Sequence, residues 1–171
     1  MSNLSTVTGE QLANALHALG LKFIMGGKNE ADTLHNHPTR LIQALAESDE
    51  ARLRMSLIPL FLEHPEFAEY VSLSVRRLSP PARLTLQCYY SAAVFLQIIY
   101  RSRWHPLLGK KLSLPDHFSR LLNLPCEKDP EANLRLLAER HQALSGENIN
   151  WLGTYYHAAQ WWINHLERTQ R

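Results

Sequence analysis

Cysteine, β-branched residues and glycine-dependent catalytic signatures are all scarce or missing in this chain, and each shortage excludes something. Cys88 and Cys126 are its two cysteines. They cannot build a framework of bridges, and Cys88 lies in an apolar run, which suits a reducing compartment and predicts a cytoplasmic protein. Cys126 sits beside Glu127 and Asp129, which raise rather than lower a thiol pKa, so it has no mark of a nucleophile. No G-x-S-x-G elbow, P-loop or G-x-G-x-x-G occurs. Valine and isoleucine together number eleven, against thirty leucines. Leucine keeps its rotamer freedom in helices whereas β-branched side chains favour strands, so the bias points to helix.

A long apolar run is also missing. Leu84 to Tyr100, seventeen uncharged residues, is interrupted by Gln87, Ser91 and Gln97 and falls short of the roughly twenty apolar residues of a membrane span. No membrane partner is expected. Residues 1–9 are polar, without a basic region followed by an apolar core, so no signal peptide is expected. At 171 residues the chain suits one helical domain over 1–171, able to bury roughly two-thirds of its unfolded surface without a metal or disulfide.

What is present reads as helices separated by proline. Residues 1–7 are expected to be disordered. Thr8 and Gln11 form a capping box ahead of Leu12, Leu16 and Leu19, and Gly20 supplies a stop. At most one short extended segment is expected, near residues 21–25, and residues 28–37 read as a loop. Pro38 opens a helix to Glu47. Ser48 is expected to cap the next, which Pro59 should kink because it lacks the amide that would bond to Met55. Helices follow over Glu66–Leu78 and over Ala82–Trp104, the latter apolar on every side and hence central. Pro106–Leu114 is expected to be a loop, Asp116–Asn123 a short helix. Pro130–Leu144 and Asn150–Arg168 complete an all-α, irregular bundle of about seven helices. No repeat of fixed period is present.

Metal and cofactor sites find little support. His35 and His37 are the closest histidine pair among nine, with no cysteine or paired carboxylate at a ligand spacing, and neither H-E-x-x-H nor C-x-x-C occurs. No metal and no cofactor are expected. Arg135 and His141, separated by five residues on one predicted helix, resemble the Arg-x4-6-His signature of HEPN-type ribonucleases, which are themselves all-helical. The resemblance implies that Arg135 would stabilise a phosphorane and His141 move the proton. Composition alone predicts roughly two such pairs by chance, so the more economical expectation is a chain that is not an enzyme.

Charge is segregated. Between Glu69 and Asp116 no acid occurs, while Arg76, Arg77, Arg83, Arg101, Arg103, Lys110 and Lys111 all fall there. That block carries +7 of an overall +2, leaving −5 elsewhere, and residues 47–69 just before it hold six acids. Arg76, Arg77, Arg101, Arg103, Lys110 and Lys111 could form a surface for nucleic acid or another anionic partner, with Trp104 to stack on bases. Alternatively Arg101 and Arg103 complement the negative end of the central helix and the other arginines pair with the acidic segment. On the last helix, Trp151, Tyr155, Ala158, Trp162 and Leu166 make a core stripe. Adjacent Trp161 and Trp162 cannot both face that core, so Tyr156, Trp161 and His165 are the candidate protein interface.

The stretch Leu12–Gly27, with Leu19-Gly20-Leu21-Lys22-Phe23-Ile24-Met25-Gly26-Gly27, resembles the opening of bacterial minimal nucleotidyltransferases. That family's catalytic Gly-Ser and Asp-x-Asp are missing, since Lys28 follows Gly27, and nucleotidyl transfer is not implied. Ala51–Tyr70 and Leu86–Gln97 are similar to small uncharacterised helical bacterial proteins associated with nucleotidyltransferase-type partners in two-component, toxin–antitoxin-like systems. The resemblance implies a non-enzymatic, protein-binding regulatory subunit, antitoxin-like or accessory. A protein partner is the leading expectation, with nucleic acid as an alternative and a homo-oligomer compatible with either.

Overall fold

Proline or a capping side chain sets the helix starts at Gly9, Pro38, Pro80, Pro130 and Trp151, and the arrangement is a computed structural model that describes residues 6–22 and 33–170. Among them lie nine α-helical segments, two 3-10 segments and no strand. The segments are α1 (Gly9–Ala18), α2 (Pro38–Glu47), α3 (Ala51–Met55), α4 (Leu57–Glu63), α5 (Val71–Val75), α6 (Pro80–Ile99), α7 (Arg101–Leu108), α8 (Pro130–Ser145) and α9 (Trp151–Thr169). The 3-10 segments are Leu34–Asn36, inside the expected 28–37 loop, and Pro65–Tyr70. The bundle is all-α, as composition implied. Of the expected extended stretch, Leu21 and Lys22 are irregular and residues 23–25 lie outside the described residues, as do residues 1–5 and 28–32.

Local chemistry explains the boundaries. The Thr8 hydroxyl accepts from the Gln11 amide at 3.2 Å and the Gln11 side chain accepts from the Thr8 amide at 2.9 Å, the reciprocal box that fixes the start of α1. Gly20, at φ 88°, closes α1 as Leu21 donates back to Leu16 at 2.9 Å, and both leucines are buried. Ser48 does not cap α3. It ends α2, and Glu50 occupies the cap, its amide donating to the Ser48 hydroxyl at 3.2 Å. Pro59 acts three residues upstream of itself: the helix breaks at Ser56, separating α3 from α4, because the proline ring crowds the carbonyl four residues before it.

Three boundaries depart from the sequence reading. Residues 66–78 do not make one helix: a 3-10 segment to Tyr70 leads into α5, which ends at Val75. The helix past Tyr100 does not stop before Pro106 but runs through it to Leu108, ending at Gly109. Asp116–Asn123 is a single capped turn rather than a helix. The Asp116 carboxylate accepts from the Ser119 amide at 3.0 Å, Leu124 donates to Ser119, and Asn123 takes the left-handed conformation at φ 56°. With a cap at each end of so few residues, nothing is left to propagate.

α6 is the axle, packed against α2, α4, α5, α7, α8 and α9. Its buried polar groups hold the segment that follows. Gln97 donates to the Leu112 carbonyl at 2.8 Å and accepts from the Leu114 amide at 2.9 Å, while the Tyr90 hydroxyl donates to the Pro115 carbonyl at 2.6 Å. On α9 the stripe Trp151, Tyr155, Ala158, Trp162 and Leu166 is buried, each large member contributing about 1.5–3 kcal/mol by leaving water. Trp162 also donates its indole N–H to Glu63 at 2.7 Å, tying α9 to the end of α4.

Candidate functional site

The block of positive charge does not form one surface. Arg76, Arg77 and Arg83 are exposed around the N-terminal end of α6, whereas Arg101, Arg103, Lys110 and Lys111 lie beyond its C-terminal end. Twenty residues of helix separate the two groups by about 30 Å. Within the second group, Arg103 donates from Nε and Nη2 to one Glu167 oxygen at 3.1 and 2.8 Å, its guanidinium carbon 6.0 Å from the Tyr100 ring centre. Lys111 donates to the Glu63 carbonyl at 3.0 Å. Arg101 and Lys110 are exposed and meet no partner among the described residues. Trp104 is no stacking platform: it is buried, and its indole N–H donates to the Gln97 carbonyl at 2.8 Å.

An apolar patch lies against those free cations. Ile98 and Leu112 are 55% and 65% exposed, although Ile98 belongs to the most buried helix of the bundle. Gln97, the neighbour of Ile98 in α6, donates to the Leu112 carbonyl and so ties that segment to the helix. Arg101, His105 and Lys110 line the same shallow depression as Ile98. Sequence reasoning found the cations here and missed the apolar pair, since isoleucine in an apolar helix reads as core.

Arg135 and His141 are not brought together. Both are on α8, yet Arg135 is exposed near Tyr156 while His141 is 2% exposed. The His141 ring stacks on Trp151 with centres 3.6 Å apart, and Tyr89 meets it edge-on at 5.9 Å. Its Nδ1 lies 2.6 Å from the Tyr155 hydroxyl. Tyr155 is wholly buried with that nitrogen as its partner, and burial pushes its phenol pKa up, so the hydroxyl donates to Nδ1. The proton of neutral His141 therefore sits on Nε2. Burial lowers the His141 pKa to about 4, keeping the ring neutral near neutral pH.

His141 forms part of the floor of a groove of about 560 Å³ where the ends of α2 and α8 meet the start of α6. Tyr89 and Trp151 share that floor. Burial raises the Tyr89 pKa to about 12, with Arg54 opposing and Glu147 adding to the shift, so both charges act on its hydroxyl. Glu47, Asp49 and Glu147 stand on the rim. Glu47 also accepts the Ser79 amide at 2.9 Å and the Ser79 hydroxyl at 3.0 Å, holding the cap of α6. Arg54 donates to the Ser48 carbonyl at 2.7 Å. No linear motif announces this groove, because residues 46–54, 79–89 and 141–151 meet only in the folded chain.

On α9, Trp162 is 1% exposed while Trp161 and His165 are half-buried at the edge, stacked on each other with centres 5.3 Å apart. Tyr156 is half-buried on another flank, beside Tyr100 and Arg135. Among the described residues no group of three or more His, Cys, Asp or Glu gathers at metal-binding distance, and no helix is long and apolar enough to cross a membrane. Comparisons with family models, curated proteins and solved structures find no match to this chain.

Proposed function

We propose that the chain is a protein-binding regulatory subunit that engages an acidic, amphipathic segment of its partner through the corner between α6 and α7. The observation that carries this reading is Ile98, more than half exposed, in one depression with the unpartnered cations Arg101 and Lys110, while Leu112 is exposed on the segment that Gln97 ties to α6. Apolar side chains ringed by cations are a common interface composition, with the apolar contact supplying affinity and the charges steering and orienting the partner. The resemblance of residues 51–70 and 86–97 to accessory proteins of two-component bacterial systems supports the same reading.

Nucleic acid is the weaker occupant. Trp104 is unavailable for stacking, Arg103 and Lys111 are engaged within the bundle, and Arg76 and Arg77 lie about 30 Å away along α6. The test is co-purification at native expression level, repeated with Ile98→Asp. One stoichiometric partner, retained by an Arg76→Ala control and lost by Ile98→Asp at unchanged helical content, is the expected result. Recovery of a lone monomer at low salt, or a partner indifferent to Ile98→Asp, overturns the reading. Recovery of RNA or DNA whose binding weakens with Arg101→Ala would transfer the corner to nucleic acid.

A further inference from the structure

The groove at the other end of α6 is separate from the protein-binding corner, and three of its features select one ligand chemistry. The first is its field. Asp49 and Glu147 are exposed on the rim with no partner among the described residues, Glu47 adds a third carboxylate, and Arg54 is the lone lysine or arginine among the described lining residues. The last turns of α2 and α8 both end at the groove, so the negative ends of two helix dipoles add to those carboxylates. The N-termini of α6 and α9 oppose them, but that of α9 is already capped by the Asn150 side chain, which accepts the Gly153 amide at 2.9 Å, and that of α6 is weak. Its first two residues, Pro80 and Pro81, have no amide hydrogen, and Glu47 already takes the Ser79 amide. A cation is favoured there.

The second feature is the floor. Tyr89 and Trp151 are buried there, and the apolar surface left open beside them is Leu144, 45% exposed, with the half-buried Leu84. The third is a buried donor. His141 is 98% buried, its Nδ1 is occupied by Tyr155, and its Nε2–H has no acceptor among the described residues yet is not sealed off, so it opens onto the groove it lines. The Trp151 indole N–H, also without an acceptor, is sealed from the groove. A buried donor lacking a partner is costly, and an acceptor brought by a ligand relieves that cost. The acceptor must be neutral, because a carboxylate or phosphate would meet the rim acids.

We propose that this groove binds an organic ammonium carrying a neutral carbonyl and an apolar side chain. That is the chemistry of an amino-acid amide or of the free N-terminus of a polypeptide. The ammonium sits between Asp49 and Glu147, the carbonyl accepts from His141 Nε2–H, and the side chain lies against Leu144 and Leu84.

Calorimetric titration of the full chain at about pH 6, where an α-amino group is protonated, tests this with four probes. These are L-phenylalaninamide, its N-acetyl derivative, L-phenylalanine and the tripeptide amide Phe-Gly-Gly-NH2. L-Phenylalaninamide should bind saturably. Acetylation should weaken it about tenfold or more, and the free carboxylate of L-phenylalanine severalfold. The double variant Asp49→Asn, Glu147→Gln alters only exposed side chains. It should lose about tenfold for the amide, with no change in melting temperature. Tighter binding of the tripeptide amide assigns the groove to a chain terminus, and tighter binding of the single amide to a small amine. Three results each overturn the proposal: no saturable heat up to about 10 mM, equal binding of the acetylated probe, or a double variant that binds as the parent does.

Discussion

At the scale of single residues, His141 is the group whose placement has the largest measurable consequence. Its pKa is about 4 in the folded chain because burial disfavours the imidazolium; in the unfolded chain it is about 6.5. Between those values the unfolded chain binds the extra proton, so stability falls as pH drops from about 6.5 to about 4 and the contribution is flat outside that window. The gap corresponds to about 3 kcal/mol. Carboxylates titrate in the same window, so the expected outcome is a difference. Urea titrations of the wild-type chain should lose about 3 kcal/mol more over this range than those of His141→Phe, which keeps a stacking ring and cannot titrate. Parallel pH profiles for the two proteins would mean that His141 is not held neutral by burial. The sequence could not show this. A buried histidine and an exposed one are written with the same letter, and only the packing of Trp151, Tyr155 and Tyr89 marks His141 as buried.

At the scale of elements, what the sequence revealed was punctuation. The Thr8 box, Pro38 and Pro80 are local signals acting within a turn, and each begins a helix as its chemistry requires. Misreadings came where two local signals competed. Pro106 was read as a stop, yet the turn it interrupts is held by Trp104 packing into the core, and the helix persists to Leu108. Asp116 and Asn123 are both good caps, but a start and a stop seven positions apart leave one turn. Helix ends also supply clean tests. Gly146 ends α8 at φ 69°, and a Cβ there would meet nothing within 4 Å. Gly146→Ala should therefore cost about 1 kcal/mol for the left-handed backbone alone, read as a lowered urea midpoint with an unchanged m-value. A second test is Trp162→Phe, which removes the indole that donates to Glu63 and leaves that carboxylate half-buried without its donor. A loss of about 2–3 kcal/mol is expected, and a loss under about 0.5 kcal/mol would mean that the bond linking α9 to α4 contributes nothing net.

At the scale of the whole molecule, the charge pattern along the chain and the charge pattern in space are different objects. The block from Arg76 to Lys111 is continuous in sequence, but α6 carries its two ends about 30 Å apart. Glu47 and Asp49, which precede that block in sequence, gather with Glu147 around the groove instead of pairing with it. The bundle thus presents a cationic, apolar corner at one end of α6 and an anionic groove at the other. Sites this far apart with no shared side chains should behave additively, within about 0.5 kcal/mol. The prediction is a double-mutant cycle. Ile98→Asp should leave L-phenylalaninamide affinity within about twofold of the parent. Asp49→Asn with Glu147→Gln should leave affinity for the purified partner equally unchanged. The rigid route between the sites is α6 itself, whose residues from Leu86 to Gln97 are all buried and offer no second packing arrangement into which a ligand could shift them. A coupling above about tenfold would contradict that picture, and would require α6 to move as a unit against α4 and α8.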